Sequence, residues 1–222
     1  MRSHIDHLVV GADSLEQGVA WCEATLGVTP GPGGEHPLMG THNRLLRIAT
    51  VDFPRTYFEI IAVQPGRTPQ RARRWFDLDD EALRDRLRRE GPRLLHFVAS
   101  VPDVQRAVQA WHALGLDRGE VVAASRDTPR GLLQWQITVR PDGQRLFDGV
   151  LPTLIQWGET HPAPGLPESG VTLHALVASH PQAPRLRAAY EAIGLAAVRL
   201  DEGPPQLRAV FDTPRGRVTL AS

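Results

Sequence analysis

The stretch DHLVVGADSLEQGVAWCEATLGV (6–28) decides the fold, because its pattern returns as LHFVASVPDVQRAVQAWHALGL at 95–116. Each stretch reads as a short apolar strand, a polar turn and an amphipathic helix that a glycine closes. When the two stretches are aligned, His96 falls under His7. A fainter third copy, LHALVASHPQAPRLRAAYEAIGL, fills residues 173–195. The sequence therefore predicts three repeats of one structural unit.

Three strands are predicted after each helix, from apolar runs that are separated by turn residues. Each copy therefore reads as a βαβββ module. We place the modules at 1–66, 92–165 and 166–222, joined by a connecting helical segment at 67–91 whose arginines form a solvated face. The predicted strands lie near 27–31, 42–50, 56–63, 119–125, 132–139, 151–157, 195–200, 206–211 and 216–220.

Composition excludes several classes of function. The 222 residues contain 25 acidic and 25 basic side chains with no long run of one sign, so the charge pattern of a nucleic-acid-binding protein is missing. The sequence contains no lysine, which excludes a lysine Schiff base within this chain. Its single cysteine, Cys22, lies on the apolar stripe of the first helix and is interpreted as a core thiol. One cysteine cannot form an internal disulfide, which is typical of a reducing compartment.

The N-terminus lacks the pattern of a secretory signal peptide. No apolar run approaches the roughly 20 residues that a membrane-spanning helix needs. We therefore expect a cytoplasmic protein whose partner is a small molecule rather than a nucleic acid or a membrane.

Several segments carry a family resemblance. IDHLVVGADSLEQGVAW (5–21), GGEHPLMGTHNRLLRI (33–48) and LPTLIQWGETHPAPGLP (151–167) resemble the glyoxalase-like domain, as does RAVFDTPRGRVTL at the end of the chain. This domain belongs to the vicinal oxygen chelate superfamily, the group of glyoxalase I, bleomycin-resistance proteins and extradiol dioxygenases. The resemblance implies an α+β fold in which repeated βαβββ modules form curved mixed sheets around a cleft. Which of the three modules pair with one another stays open.

The same resemblance implies a divalent metal ion, for which zinc, nickel, manganese and iron are all candidates. In the superfamily the ligands come from the first and last strands of paired modules. Carried over by position, these ligands are His7 and Glu59 from the first module and His96 and Gln156 from the second. The third module has His174 but no acidic mate, so no metal is expected there.

Glu59 also attracts attention without the resemblance, because it lies within the apolar run FEII. A buried carboxylate is costly unless it meets a cation, an arginine or a proton. A metal ion would meet this need, and so would an ion pair with an arginine such as Arg47. Gln156 is a weaker ligand than a carboxylate and cannot act as a general base, which sets the site apart from that of glyoxalase I.

A glycine-rich loop, GGEHPLMGTHN (33–43), supplies further candidate site residues. Loops held by a rigid scaffold often carry binding groups. We interpret His42 as a candidate general base or as a group that supports the site residues, and we expect Glu59 and His42 to be the catalytic residues. His36 and Asn43 are interpreted as substrate-binding residues.

The leading hypothesis is therefore a metal-dependent enzyme, a lyase, isomerase or dioxygenase, that acts on a small oxygen-bearing substrate in a cleft between modules. The alternative is a metal-free protein of the bleomycin-resistance type that binds or sequesters a small molecule. A scaffold with a vestigial site is a third possibility. An odd third module would leave an apolar face uncovered, which favours a homodimer through that module.

Overall fold

A computed structural model of the chain describes residues 2–128 and 131–222. Each of the three modules folds as βαβββ, and one more helix lies between the first and second modules. The elements are β1 (His4–Gly11), α1 (Leu15–Leu26), β2 (Gly31–His36), β3 (Thr41–Arg47), β4 (Tyr57–Val63), α2 (Glu81–Glu90), β5 (Arg93–Ser100), α3 (Val104–His112), β6 (Glu120–Thr128), β7 (Gly131–Val139), β8 (Thr153–Trp157), β9 (Thr172–Ser179), α4 (Ala183–Ile193), β10 (Val198–Asp201), β11 (Gln206–Thr213) and β12 (Gly216–Ala221).

The first two modules pair with each other and form one curled sheet of eight strands. The strand order is β2-β3-β4-β1-β5-β8-β7-β6. Each module therefore contributes four neighbouring strands, and the order in the second module mirrors that in the first. The modules join at the centre, where β1 and β5 run antiparallel. The first strand of each module also runs parallel to its last strand. This arrangement confirms the predicted α+β class and answers the question of which modules pair.

Helix α1 illustrates how the repeated segment folds locally. The hydroxyl of Ser14 accepts a hydrogen bond from the Gln17 amide at 3.2 Å and caps the N-terminus of the helix. Gly27 ends the helix in the left-handed conformation, with a φ of 78°. Cys22 is fully buried on the apolar stripe, and burial raises the pKa of its thiol to about 12. The prediction of a core thiol agrees with this position.

The third module forms a separate sheet with the order β10-β9-β11-β12. Its apolar face joins the main core of the same chain, where the rings of Phe211 and Phe58 lie 5.7 Å apart. Trp111 of α3 also donates a hydrogen bond to the carbonyl oxygen of Ala189 in α4 at 2.8 Å. The apolar face that was expected to favour a homodimer is thus covered by the chain's own first two modules.

The connecting segment does more than present a solvated helix. Before α2 begins, it places Trp75 and the buried Phe76 against the concave face of the eight-stranded sheet. Phe76 and Asp77 both have a φ of 59°, a strained conformation for residues other than glycine. An ion pair between Asp77 and Arg145 at 2.8 Å fastens this turn to the second module. None of the helices in the described residues is long and apolar enough to cross a membrane.

Candidate active site

Two adjoining cavities occupy the concave face of the eight-stranded sheet. The inner cavity measures about 50 Å³, and strands of both modules line it. The outer cavity measures about 650 Å³ and has a mainly apolar lining. The two cavities share five lining residues, so a ligand can extend from one into the other. The shared residues are His36, Trp75, Arg126, Trp135 and Ile137.

Glu59 of β4 lies in the wall of the inner cavity and is only 5% exposed. Its Oε1 accepts a hydrogen bond from the Asn43 amide nitrogen at 2.5 Å. Its Oε2 lies 3.5 Å from Nε2 of His7. No described arginine forms an ion pair with this carboxylate, and Arg47 instead pairs with Glu168. The hypothesis that Arg47 neutralises Glu59 is therefore wrong.

A second buried carboxylate lies behind His7. Asp6 is 1% exposed and accepts hydrogen bonds from His7 Nδ1 at 2.7 Å, Trp157 Nε1 at 2.8 Å and His161 Nε2 at 3.1 Å. Burial alone raises the pKa of Asp6, but the hydrogen bonds from His161 and His7 outweigh this effect and hold the pKa well below its usual value. Because Nδ1 of His7 donates its hydrogen bond to Asp6, Nε2 is the ring nitrogen that faces Glu59.

His36 contacts Asn43 in the wall of the inner cavity. Its Nδ1 lies 3.1 Å from the Thr41 hydroxyl, and its Nε2 lies 3.4 Å from the amide nitrogen of Asn43. Nε2 is also 4.0 Å from Oε1 of Glu59. Burial lowers the pKa of His36 to about 4, so the ring is neutral near pH 7. His36 and Asn43 thus both line the inner cavity, where Asn43 binds Glu59 directly, and their role in substrate binding stays a prediction.

The structure does not bring His96 to His7 and Glu59. The fully buried ring donates from Nδ1 to the Gly149 carbonyl oxygen at 2.8 Å, which leaves Nε2 as an acceptor. That nitrogen accepts from the Thr153 backbone amide at 3.0 Å and from the Arg118 guanidinium at 3.2 Å. Burial and the nearby Arg118 lower the pKa of His96 well below its usual value. Its ring also packs 5.3 Å from that of Phe76, which lines the inner cavity.

Gln156 and His42 project from the opposite face of the sheet. Side chains alternate along a strand, and the inner cavity takes Ile155 and Trp157 from β8. Gln156, between them, accepts a hydrogen bond from the Val104 amide at 2.8 Å and so caps the start of α3. His42 precedes Asn43 on β3, so by the same alternation it points away from the inner cavity that Asn43 lines. Its Nε2 is buried without a hydrogen-bond partner in the described part of the chain.

The predicted set of four metal ligands does not fit one ion in this arrangement. His7 and Glu59 face each other, whereas both nitrogens of His96 are occupied and Gln156 lies on the helical face. Within residues 2–128 and 131–222, no group of three or more His, Cys, Asp or Glu side chains is arranged to hold a metal ion. Of the four predicted metal ligands, only His7 and Glu59 lie together in the wall of the inner cavity.

Asp6 and Arg126 were not predicted as site residues. Side chains of neighbouring strand residues normally point to opposite faces, so Asp6 was not expected beside His7. A shift in the pairing of β1 with β5 between Ile5 and His7 makes this contact possible. The adjacent letters Asp-His were the available signal for Asp6. Arg126 lies on an edge strand and reaches the cavities only because the sheet curls.

The paired βαβββ modules in one curled sheet form a glyoxalase-like fold. A hypothetical protein from Staphylococcus aureus has a similar structure, with a TM-score of 0.60 and 14% identity over 91% of this chain and 87% of that one. A methylmalonyl-CoA epimerase in complex with methylmalonyl-CoA and NH4+ has a TM-score of 0.45 and 19% identity over 72% of this chain and 99% of that one.

The family itself is identified from the sequence. The model of the glyoxalase-like domain family matches residues 5–194, and the chain belongs to this family. A comparison with curated proteins gives no match.

Proposed function

We propose that this chain is an enzyme that removes a proton from, and returns it to, a small oxygen-bearing substrate, with Glu59 as the general base. The observation that carries the proposal is the environment of Glu59. This buried carboxylate has no arginine partner in the described residues and faces an imidazole, His7, that a second buried carboxylate orients. Such an arrangement costs folding free energy and is typical of a functional site.

The proton pathway follows from the contacts. A C–H bond of the substrate breaks, its proton passes to Oε2 of Glu59, and the electron pair moves onto the adjacent carbonyl oxygen of the substrate. Asn43 holds the other carboxylate oxygen and fixes the direction of Oε2. Nε2 of His7 lies 3.5 Å from Oε2 of Glu59, so the ring can take the proton from the carboxyl group at Nε2 and return it.

The two cavities indicate how such a substrate would bind. The inner cavity, at about 50 Å³, holds only a small polar group next to Glu59. The outer cavity, with its apolar lining and about 650 Å³, suits a larger apolar body. Trp135 lines both cavities, and its ring lies 5.5 Å from that of Trp157, so aromatic surface extends across the junction. The walls would keep water from the reacting carbon.

A deuterium-exchange experiment tests the proposal. The chain is incubated in D2O with a panel of 2-oxo acids and 2-hydroxy ketones, and loss of the C–H signal is followed by proton NMR. Glu59→Gln keeps the shape and the contact with Asn43 but removes the base, so exchange should slow by about 10²- to 10⁴-fold. Glu191→Gln is the matched control, because Glu191 is exposed on α4 in the third module. Equal exchange by the two variants would refute the role of Glu59.

A metal-dependent form of the site is the second candidate, and the contact between Asp6 and His7 favours it. Histidines that bind a metal commonly donate their other ring N–H to a carboxylate. His7 and Glu59 would be two of the ligands. Elemental analysis of protein purified without a histidine tag separates the two forms. Stoichiometric metal that is lost in His7→Ala favours the metal-dependent form. Deuterium exchange that persists after treatment with a chelator favours the metal-free form.

The third candidate is a binding protein, which the apolar lining of the outer cavity favours. It would bind members of the panel and gain thermal stability from them without exchanging their protons. A thermal-shift measurement on the same panel therefore distinguishes binding from catalysis.

A further inference from the structure

We infer that Arg126 is the anion-recognition residue of the cleft and that the ligand is a monocarboxylate with an apolar body; this inference rests on the proposed use of the two cavities. Arg126 lies on β6, the outermost strand of the second module. Arg126 lines both the inner and the outer cavity, so this residue lies at their junction.

The guanidinium has no partner within the described residues. It forms no hydrogen bond or ion pair there, whereas three arginines of the connecting segment are paired. Arg67 binds Glu35, Arg71 binds Glu120 and Arg74 binds Asp79. An arginine presents five N–H donors in a planar fork that matches a carboxylate in a bidentate geometry. An unpaired fork directed at a cavity is therefore suited to an incoming anion.

The surrounding backbone is shaped to admit this side chain. Gly34 lies on β2, the opposite edge of the sheet, and a Cβ placed there would fall 1.6 Å from Nη1 of Arg126. With glycine at this position the guanidinium can lie against the strand, whereas a side chain there would displace it. The Asn43 side chain holds this position, since its Oδ1 accepts a hydrogen bond from the Gly34 amide at 2.7 Å. Asn43 therefore links the strand under Arg126 to Glu59.

Charge and shape define the class of ligand. Arg126 is the only arginine among the described residues that line the two cavities, and the sequence contains no lysine. One cation matches one negative charge, which favours a carboxylate over a phosphate dianion. The outer cavity is lined by Leu38, Met39 and the rings of Trp75 and Trp135, which suits an alkyl or aryl group. The carboxylate would then lie between this body and the group that faces Glu59.

Direct binding tests this assignment without relying on turnover. The probes are 2-oxo-4-phenylbutanoate and its uncharged primary amide, and their binding is followed by quenching of tryptophan fluorescence. All variants are made in the Glu59→Gln background, so that binding is measured without proton transfer. With Arg126 present, the acid should bind about 10- to 100-fold more tightly than the amide, as expected for a hydrogen bond to a charged group.

Three variants locate the origin of this preference. Arg126→Gln should bind acid and amide equally. Gly34→Ala keeps the charge but displaces the guanidinium, so the preference should shrink. Arg208→Gln is the control, because this exposed arginine on β11 carries the same charge far from the cleft, and the preference should persist.

Equal binding of the two probes with Arg126 intact, or a preference that survives Arg126→Gln, would overturn the inference. Failure of both probes to bind would also overturn it, since the cavity would then not accept an aryl body. If the acid binds through Arg126 but no proton exchange occurs with Glu59 present, the anion site stands and the proposed reaction fails.

Discussion

The two modules of the eight-stranded sheet place a histidine at the same point of the repeat and use it differently. His7 faces an open cavity and a carboxylate, whereas His96 is enclosed by hydrogen bonds to Gly149, Thr153 and Arg118. Both rings are buried on the shared sheet. The position of a histidine in a repeat therefore predicts where its backbone lies, while its neighbours decide what the ring can do.

The difference arises from a few residues. In the first module Asp6 precedes the histidine and Glu59 faces it, whereas in the second module Leu95 precedes the histidine and Thr153 contacts it. None of the described carboxylates of the second module lines either cavity. This module contributes instead the wall residues Trp135 and Trp157 and the cation of Arg126. Under the proposed function, the first module would supply the acid–base groups of the cleft and the second module its ligand-recognition groups.

The largest expected effect on stability is the loss of the His96 ring. His96→Ala would leave the Gly149 carbonyl oxygen and the buried Arg118 guanidinium each short of a partner, and would open a cavity beside Phe76. The free energy of unfolding should fall by about 3–4 kcal/mol, as measured by urea denaturation.

His7→Ala is the matched change in the other module. Asp6 keeps its hydrogen bonds from Trp157 and His161, and the main loss is the stacking of His7 on Tyr57, whose rings lie 4.6 Å apart. We expect a loss of only about 1 kcal/mol. Equal losses for the two variants would show that both histidines are structural and would remove the contrast between the modules.

The pH dependence of stability should show one contribution from each module. Burial lowers the pKa of His36 to about 4 and that of His96 well below its usual value, so the unfolded chain binds protons at these residues first as the pH falls. Their contribution to stability is complete above about pH 6.5 and is lost as the pH falls toward the folded values, by about 1.4 kcal/mol per pH unit for each histidine.

His36→Gln tests this contribution, because glutamine can still contact Thr41 and Asn43 but does not titrate. Between pH 6 and pH 4.5, the slope of the unfolding free energy should fall by about 1.4 kcal/mol per pH unit relative to the unmodified chain. The measurement is a series of urea titrations across this range. An unchanged slope would mean that His36 binds a proton in the folded state, and its role as a neutral support for Asn43 would fail.

Much of the fold could be predicted from the repeat, but only part of the site. The apolar alternation of β1 and β5 and the glycine after α1 are local signals, and each module has the predicted βαβββ order. Glu59 could be singled out because a charge within FEII needs a functional reason. The segment that places Phe76 against His96 could not be foreseen, since its path depends on long-range ion pairs such as that of Asp77 with Arg145.

The same limit explains Gln156. On β8 a shift of one residue exchanges the two faces of the sheet, and the sequence pattern alone did not fix which face Gln156 takes. Because its amide oxygen caps the Val104 N–H, Gln156→Ala should lower the free energy of unfolding by about 1 kcal/mol, with little effect on proton exchange. Gln134→Ala, at an exposed position on the neighbouring strand β7, should change stability by less than about 0.5 kcal/mol. The contradicting outcome is a Gln156→Ala variant that is as stable as the Gln134→Ala control but no longer catalyses proton exchange. That result would place Gln156 in the cleft and give the second module a catalytic residue.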